Sequence, residues 1–379
     1  MISVNKSTST NFFKQFDYLL FIAVLALSVF GLVVLYSATR QMVKGNGDRI
    51  FTMQVICMII GIIVAIVICK IDYTVYKVLG PFMYIGSIIL LTIVFTFPPI
   101  NGSKSWINVK GLFTFQPAEL AKIAFVMIIA YFLERIEEER FARWQNTIKT
   151  LLYAMIPILL VILQPDLGTC MVFMFIGFVM FFVAGLKYKY IMWGIAATFI
   201  SFPLVWYLFI EKNVYIKNRI LSFLDPTSNL LSAGYNVLNS KLAIGSGGLF
   251  GQGWLNGNMT QTMSVPVKES DFIFSVVGEE FGIIGCLFVV ALFLFILLRC
   301  LYIAKNSRDK FGSYMVIGIT ALFAFHAFEN IGMTIGLLPC TGIPLPFVSA
   351  GGTALIAYFA AIGIVMSISI RRKRKLFNA

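Results

Sequence analysis

Apolar residues along this chain come in long runs separated by short polar stretches. The runs are 18–36, 51–69, 78–97, 117–133, 150–163, 168–186, 189–210, 271–304, 312–337 and 351–370. A helix of about 20 apolar residues spans roughly 30 Å of hydrocarbon, so the pattern predicts a polytopic all-α membrane protein with about ten transmembrane helices. The fifth run is short and stops at Gln164-Pro165. The longest polar stretch, from Glu211 to Ser270, separates the seventh and eighth runs and is expected to form a large extracellular loop. No part of residues 1–379 reads as a separate soluble domain, so a single transmembrane domain is expected. Residues 1–17 form a polar N-terminus, and the first run has no small-residue cleavage site after it. It reads as a retained anchor.

Composition agrees with the pattern. Hydrophobic residues make up 59% of the chain and charged residues only 12%, against about 25% charged in soluble domains. The loop charges give an orientation. Nineteen Lys and Arg lie on the termini and the even-numbered loops, counting Lys189 and Arg299 near the loop-side ends of their runs, ten lie on the odd-numbered loops, and Lys122 falls within the fourth run. Short loops rich in Lys and Arg stay in the cytoplasm, so both termini are expected inside and 211–270 outside. The net charge of +13 then points to anionic inner-leaflet lipid and not to nucleic acid. The tail from Arg371 to Lys375 reads as a topology anchor. Six cysteines without a C-x-x-C pair, and a single His326, predict neither a disulfide framework nor a His-based metal site.

Ionisable groups at membrane depth are costly and mark candidate functional sites. Glu119 and Lys122 begin the fourth run, three residues apart, on one helix face where they can pair. The competing reading is a neutralised structural pair. Asp166, in Gln164-Pro165-Asp166-Leu167-Gly168, suits a turn or a helix cap. Glu329 and Asn330, with His326 one turn earlier, lie within the ninth run and are read as interhelical hydrogen-bonding groups.

The densest cluster is Lys268-Glu269-Ser270-Asp271, followed by Gly278-Glu279-Glu280-Phe281-Gly282. A continuous helix over 271–304 would be about 51 Å long, too long for the hydrocarbon unless steeply tilted. The uninterrupted apolar part is 281–298. Glu279 and Glu280 are therefore expected near the outer interface, with Asp271 about two turns higher, at headgroup level. Ser270 is the candidate cap of that helix, and the helix dipole is expected to lower the pKa of Asp271. Such a carboxylate can accept a proton or hold a cation, or simply cap.

Two glycine-rich stretches remain. Residues 244–253 lack the Gly-Lys-Ser/Thr of a phosphate-binding loop and read as a flexible loop. Residues 339–352, which include Ser349, carry three prolines in an apolar setting between runs nine and ten. Irregular backbone at this depth is tolerated where protein buries it or where it walls a wet cavity.

Five motifs in order carry a resemblance. They are Gln-Pro-Ala-Glu-Leu-Ala-Lys (116–122), Gln-Pro-Asp-Leu-Gly (164–168), Ala-Ile-Gly-Ser-Gly-Gly-Leu-Phe-Gly (243–251), Asp-Phe-Ile-Phe with Gly-Glu-Glu-Phe-Gly (271–282), and Asn-Ile-Gly-Met through Pro-Leu-Pro-Phe-Val-Ser (330–349). Together they resemble the SEDS family of bacterial shape, elongation, division and sporulation proteins, over residues 15 to 370. The stretches 219–226 and 341–347 are more similar to its elongation branch than to its division branch.

The resemblance implies a peptidoglycan glycosyltransferase that polymerises lipid II, with Asp271 as the catalytic residue. It implies lipid II and an undecaprenyl-pyrophosphate-linked glycan as substrates and a class B penicillin-binding protein as transpeptidase partner. The chemistry asks for a base for the attacking hydroxyl and for positive charge at the leaving pyrophosphate. Lys122, Arg219, Lys241 and Lys268 are the candidate cations, and a divalent cation (Mg or Mn), held by Asp271 or nearby carboxylates, is a further one. Glu119, Asp166, Glu279, Glu280 and Ser349 are candidate cavity residues. The chain departs from the family pattern at Ser105 and Leu163, where the family has Arg and Lys, at Val267, where it has Glu, and at Ala350, where it has Tyr. Two competing readings are a flippase or transporter of a lipid-linked precursor and a non-catalytic scaffold of the cell-wall synthase complex.

Overall fold

The computed structural model describes residues 15–42, 45–99, 102–109, 113–138, 144–185, 207, 211, 217, 219, 221, 223 and 233–372. Among them are helices α1 (Tyr18–Thr39), α2 (Asn46–Lys70), α3 (Tyr73–Ile93), α4 (Pro117–Glu138), α5 (Trp144–Leu163) and α6 (Leu167–Val183). Between α3 and α4 a small ribbon pairs β1 (Ile107–Val109) antiparallel with β2 (Phe113–Phe115). Then come α7 (Ala233–Ser246), the single turn α8 (Asn258–Gln261), α9 (Ile273–Lys305), α10 (Lys310–Thr334) and α11 (Gly352–Ile370).

Nine of the ten apolar runs coincide with helices. The seventh, 189–210, lies outside the described residues except for Tyr207, as do most of 211–232, residues 1–14 and the last seven residues of the chain. Six of the described helices are long and apolar enough to cross a membrane.

Burial sorts the helices into centre and periphery. α4 is buried at every position from Ala121 to Ala130, and α10 and α11 are largely enclosed. α2, α3 and α9 instead leave Ile63, Phe82, Leu287 and many other large apolar side chains open. An apolar exterior of this extent suits lipid and not water. Small residues let α2 and α11 approach closely: a Cβ on Gly363 would come within 2.8 Å of the Ala65 carbonyl oxygen, and one on Gly61 would meet the Phe359 ring.

Aspartates open several helices. Asp17, Asp72, Asp166 and Asp309 each accept a backbone N–H from the first turn of α1, α3, α6 and α10. Three of these caps gather at one end of the bundle with its cations. Asp17 pairs with Arg299 at 3.0 Å and Arg372 at 3.7 Å, Asp72 pairs with Arg371 at 3.1 Å, and Tyr73 donates to Asp309 at 2.6 Å.

The eighth run departs from expectation. Its helix begins at Ile273 and is broken at Gly282, whose φ of 64° and ψ of −162° are open to glycine and not to other residues. Residues 283–305 make about 34 Å of helix, which fits the hydrocarbon without steep tilt. The glycine-rich stretch 244–253 explains the break. Gln252 and Gly253 donate their N–H groups to the carbonyls of Glu279 and Glu280, and Ile283 donates to Gly248. These bonds satisfy backbone groups that the break frees. Gly251 must be glycine here, since a Cβ would collide with the Glu280 carbonyl. The expected long loop is also partly helical, with α7 packed along α9.

Candidate active site

The site forms at the opposite end of the bundle, where the segment before α9 meets residues 335–351. Two segments are stitched together by backbone and hydroxyl. Ser349 Oγ donates to the Ser270 carbonyl at 2.6 Å and accepts the Leu345 N–H at 2.9 Å. Ala350 N–H donates to the Glu269 carbonyl at 2.8 Å. From α2, the Gln54 amide nitrogen donates to the Ser349 carbonyl at 2.9 Å, and its amide oxygen accepts the Gly351 N–H at 3.1 Å. From α10, Asn330 Nδ2 donates both to the Asp271 carbonyl (2.9 Å) and to the Ile343 carbonyl (2.8 Å). Val267 (φ 53°) and Phe347 (φ 66°), one in each segment, hold left-handed backbone conformations that are rare outside glycine.

Asp271 is half-buried within this frame. Ser270 Oγ donates to its Oδ1 at 3.1 Å. Its Oδ2 and the guanidinium of Arg219 converge on Gly342: a Cβ built there would lie 3.2 Å from Asp271 Oδ2 and 3.4 Å from Arg219 Nη2. Gly342 itself has a φ of 79°. Arg219 Nη1 donates to the Thr341 carbonyl at 2.6 Å. The Thr341 hydroxyl in turn donates to Glu329 Oε1. Glu329 is buried and its Oε2 has no hydrogen-bond partner among the described residues.

Desolvation raises the Asp271 pKa above the usual aspartate value. The Ser270 hydroxyl and Arg219 act against the shift, and Glu269 adds to it. This reverses the expectation of a lowered pKa. The cap of α9 is Phe272, with no side-chain bond, and Ser270 bonds to Asp271 instead of capping. Without a capping role, the helix dipole does not outweigh burial.

The other candidates fall into three places. Lys122 lies 2.9 Å from Glu119 Oε1 and 2.9 Å from His326 Nε2, so the expected pair forms and extends across to α10. His326 Nδ1 contacts the Pro344 carbonyl at 3.3 Å and the Tyr358 hydroxyl at 3.1 Å. This network is closed to solvent and lies behind the proline-rich segment. Asp166 caps α6 and accepts from Gln116 at 3.2 Å, as the turn reading foresaw. Gly168, two residues on, abuts Thr341 and Ile343, which brings this turn against the same segment. Lys241 is exposed on α7, and its side chain lies across Gly336.

Lys268, Glu279 and Glu280 are all buried within the protein, and Glu279 and Glu280 immediately precede the break at Gly282, after which residues 283–305 match the hydrocarbon thickness. Glu279 accepts the N–H groups of Met259 (2.6 Å) and Thr260 (2.8 Å). Glu280 accepts from the Ser37 hydroxyl and from Gln261. Lys268 donates to the Thr260 carbonyl, and desolvation lowers its pKa against the pull of Glu269, Glu280 and Glu279. These groups fasten residues 252–268 to α1 and α9. Glu279 and Lys268 answer to backbone groups of residues 259–260 and Glu280 to side chains on α1 and α8, a demand that no local sequence signal announces.

A divalent cation finds no ready cage. Among the described residues no three His, Cys, Asp or Glu side chains cluster to hold one, and the carboxylate of Asp271 is already faced by Arg219. Sequence reasoning undervalued Glu329 and overlooked Thr341 and Gly342. The available signal was the carboxylate of Glu329 beside Asn330 inside an apolar run.

Comparison with known proteins places this arrangement. A family model, FTSW_RODA_SPOVE, described as cell cycle protein, matches residues 17–374. Peptidoglycan glycosyltransferase MrdB of Escherichia coli (strain K12) is 38% identical over 360 residues, 94% of each chain. A probable peptidoglycan glycosyltransferase FtsW of Geobacter metallireducens is 35% identical over 369 residues, 95% of this chain and 96% of that one. Among solved structures, a chain of a peptidoglycan synthase complex, described as coordinating polymerization and crosslinking, superposes with a TM-score of 0.80 at 28% identity, over 93% of this chain and 97% of that one. The rod shape determining protein RodA of Thermus thermophilus gives 0.70 at 26% identity, over 95% and 98%.

Proposed function

Because this chain belongs to the FtsW/RodA/SpoVE family of cell cycle proteins, the SEDS polymerases, we propose that it is a peptidoglycan glycosyltransferase on the RodA side of that family, polymerising lipid II with Asp271 as general base. It is a multi-pass membrane protein. In this reading it crosses the cytoplasmic membrane ten times as one transmembrane domain, keeps both termini inside, and turns Asp271, the 211–270 segment and residues 335–351 outward. The observation that carries the reading is the convergence of Asp271 Oδ2 and Arg219 on Gly342 at the mouth of the bundle.

The reaction is a single displacement. The 4-hydroxyl oxygen of the incoming lipid II attacks C1 of the terminal sugar of the growing strand. Its proton passes to the Asp271 carboxylate. The bond from C1 to the undecaprenyl pyrophosphate oxygen breaks, and its electron pair leaves with the pyrophosphate. Arg219 is assigned to the charge that develops there, since its guanidinium can fork across phosphate oxygens. Lys241, exposed beside Gly336, is assigned in this reading to the same phosphates. With no protein cage for one among the described residues, no step is assigned to a divalent cation.

The neighbour from a synthase complex that coordinates polymerization and crosslinking supports a class B penicillin-binding protein as partner, and the rod shape determining neighbour supports elongation of the cell as the setting. The flippase reading has one feature in its favour, the polar set Glu119, Lys122 and His326 inside the bundle. Those groups are 3%, 1% and 1% exposed and pair with one another, so among the described residues they face protein and not a wet cavity.

The test uses the purified protein with its cognate transpeptidase, lipid II and Mg or Mn. Glycan strands from the native chain that vanish with Asp271→Ala support the polymerase. Equal product from both removes Asp271 from the mechanism. Lipid scrambling without strands supports the flippase, and neither activity supports the scaffold.

A further inference from the structure

One buried group near the site has no part in the chemistry above. Glu329 projects from α10 toward residues 341–342, is 1% exposed, and leaves Oε2 unpartnered among the described residues. A buried carboxylate is expensive unless something needs it. Its bonded oxygen, Oε1, holds the Thr341 hydroxyl. Thr341 is also the residue whose carbonyl accepts Arg219 Nη1 at 2.6 Å. The next residue, Gly342, is the point on which Arg219 and Asp271 Oδ2 converge. The first two links, from Glu329 to Thr341 and from Thr341 to Arg219, are direct hydrogen bonds; the last is the approach of Arg219 and Asp271 Oδ2 to the same point beside Gly342, with an electrostatic pull between them.

The neighbouring position strengthens the case. Asn330 fixes the Asp271 and Ile343 carbonyls from the same turn of α10. Adjacent side chains of one helix turn therefore grip both sides of Gly342, Asn330 at Ile343 and at Asp271, and Glu329 at Thr341. α10 is enclosed along most of its length, so it is a firm base for such a grip. Arg219 comes from a segment distant in sequence, and the Thr341 carbonyl is a fixed point for it.

We propose that Glu329 is a positioning residue for the transfer step, acting through Thr341 to set the Arg219 guanidinium against Asp271. The proposal rests on the reading of Asp271 as base and Arg219 as leaving-group cation. Glu329 touches no substrate. Its work is to hold one peptide of the 335–351 segment in the orientation that points the Thr341 carbonyl at Arg219. Misplacement of a reacting group by about 1 Å can cost on the order of 100-fold in rate, so the effect belongs in kcat and not in binding.

Polymerisation kinetics on the full chain with its transpeptidase test this. Glu329→Ala and Thr341→Val are expected to lower kcat roughly 10- to 100-fold, with KM for lipid II little changed. Glu329→Gln keeps an acceptor for the Thr341 hydroxyl, and Thr341→Ser keeps the donor, so both should stay within a few-fold of native. The double variant Glu329→Ala/Thr341→Val should be no worse than either single variant, and Glu329→Ala should add nothing in an Arg219→Ala background, because groups acting in series are not additive. Thermal unfolding of each variant in detergent identifies any that fail to fold, and the Gln and Ser variants keep the test open in that case. Full kcat in Glu329→Ala, a loss confined to KM, or losses that add across the pairs would overturn the proposal. Failure of the underlying reading looks different, since Asp271→Ala would then still make strands.

Discussion

Ser349 Oγ donates to the carbonyl of Ser270 at 2.6 Å, bridging the proline-rich segment to the residue before Asp271. The same oxygen accepts the Leu345 N–H at 2.9 Å, and the side chain is buried. Ser349→Ala therefore strands the buried Leu345 N–H donor and the half-buried Ser270 carbonyl at once. An unsatisfied buried polar group costs about 1–3 kcal/mol. The variant should unfold at a lower temperature in detergent and polymerise more slowly, with Ser349→Thr intermediate. Unchanged unfolding and rate would mean that the bridge does not hold the site.

Asp271 makes a pH prediction whose sign follows from desolvation. Its folded pKa is raised, above the ordinary aspartate value of about 3.9. A general base must be ionised, so polymerisation should fall on acidification with a midpoint above that ordinary value. The stability effect runs the other way. Desolvation penalises the ionised form in the fold, so Asp271 detracts from stability above its folded pKa, and this penalty disappears as the pH falls below the unfolded value. Asp271→Asn should therefore be inactive yet at least as stable as the native chain at neutral pH. A rate profile flat down to the ordinary aspartate value, or an Asn variant that unfolds more easily, would contradict this.

The break in α9 can be tested at Gly282. Its backbone conformation (φ 64°, ψ −162°) is closed to residues with a Cβ, and holding one there costs about 1–3 kcal/mol. A Cβ would also meet Gly251 N and the Leu249 carbonyl. Gly282→Ala should lower the unfolding temperature or yield. Gly86→Ala in α3 is the control, because its Cβ meets nothing within 4 Å and helix propensity favours Ala. Equal behaviour of the two variants would show that the break is not required.

These residues also show how far the sequence was legible. Run length and alternation of polarity located the helices, because membrane thickness imposes a length that no other feature mimics. Local rules found the Asp166 cap and the Glu119–Lys122 pair, since both depend on neighbours three residues apart. The partners of Glu279, Glu280 and Lys268 were not legible, because they lie on Ser37 and on residues 259–261, a long-range demand. Glu329 was undervalued for the same reason. Its partner, Thr341, lies on an irregular segment whose path follows no periodicity, and only the assembled bundle brings Arg219 beside it.

The Lys122–Glu119 pair separates a structural from a chemical role for an intramembrane charge. The two groups are 1% and 3% exposed and 2.9 Å apart, and Glu119 Oε2 has no further partner among the described residues. Removing one charge leaves the other buried and uncompensated, at a cost of about 3–5 kcal/mol. Replacing both with apolar residues of similar size is often neutral or stabilising. Lys122→Met alone should therefore be strongly destabilised, and Lys122→Met/Glu119→Leu should recover most or all of the unfolding temperature. Activity should not recover with it. His326 Nε2 loses its contact with Lys122 in both variants, and the same ring sits against the Pro344 carbonyl behind the site. A folded double variant with slowed polymerisation is the expected result. A double variant as unstable as the single one would show that the pair does more than neutralise itself. Full activity in the double variant would show that the ring holds Pro344 without Lys122.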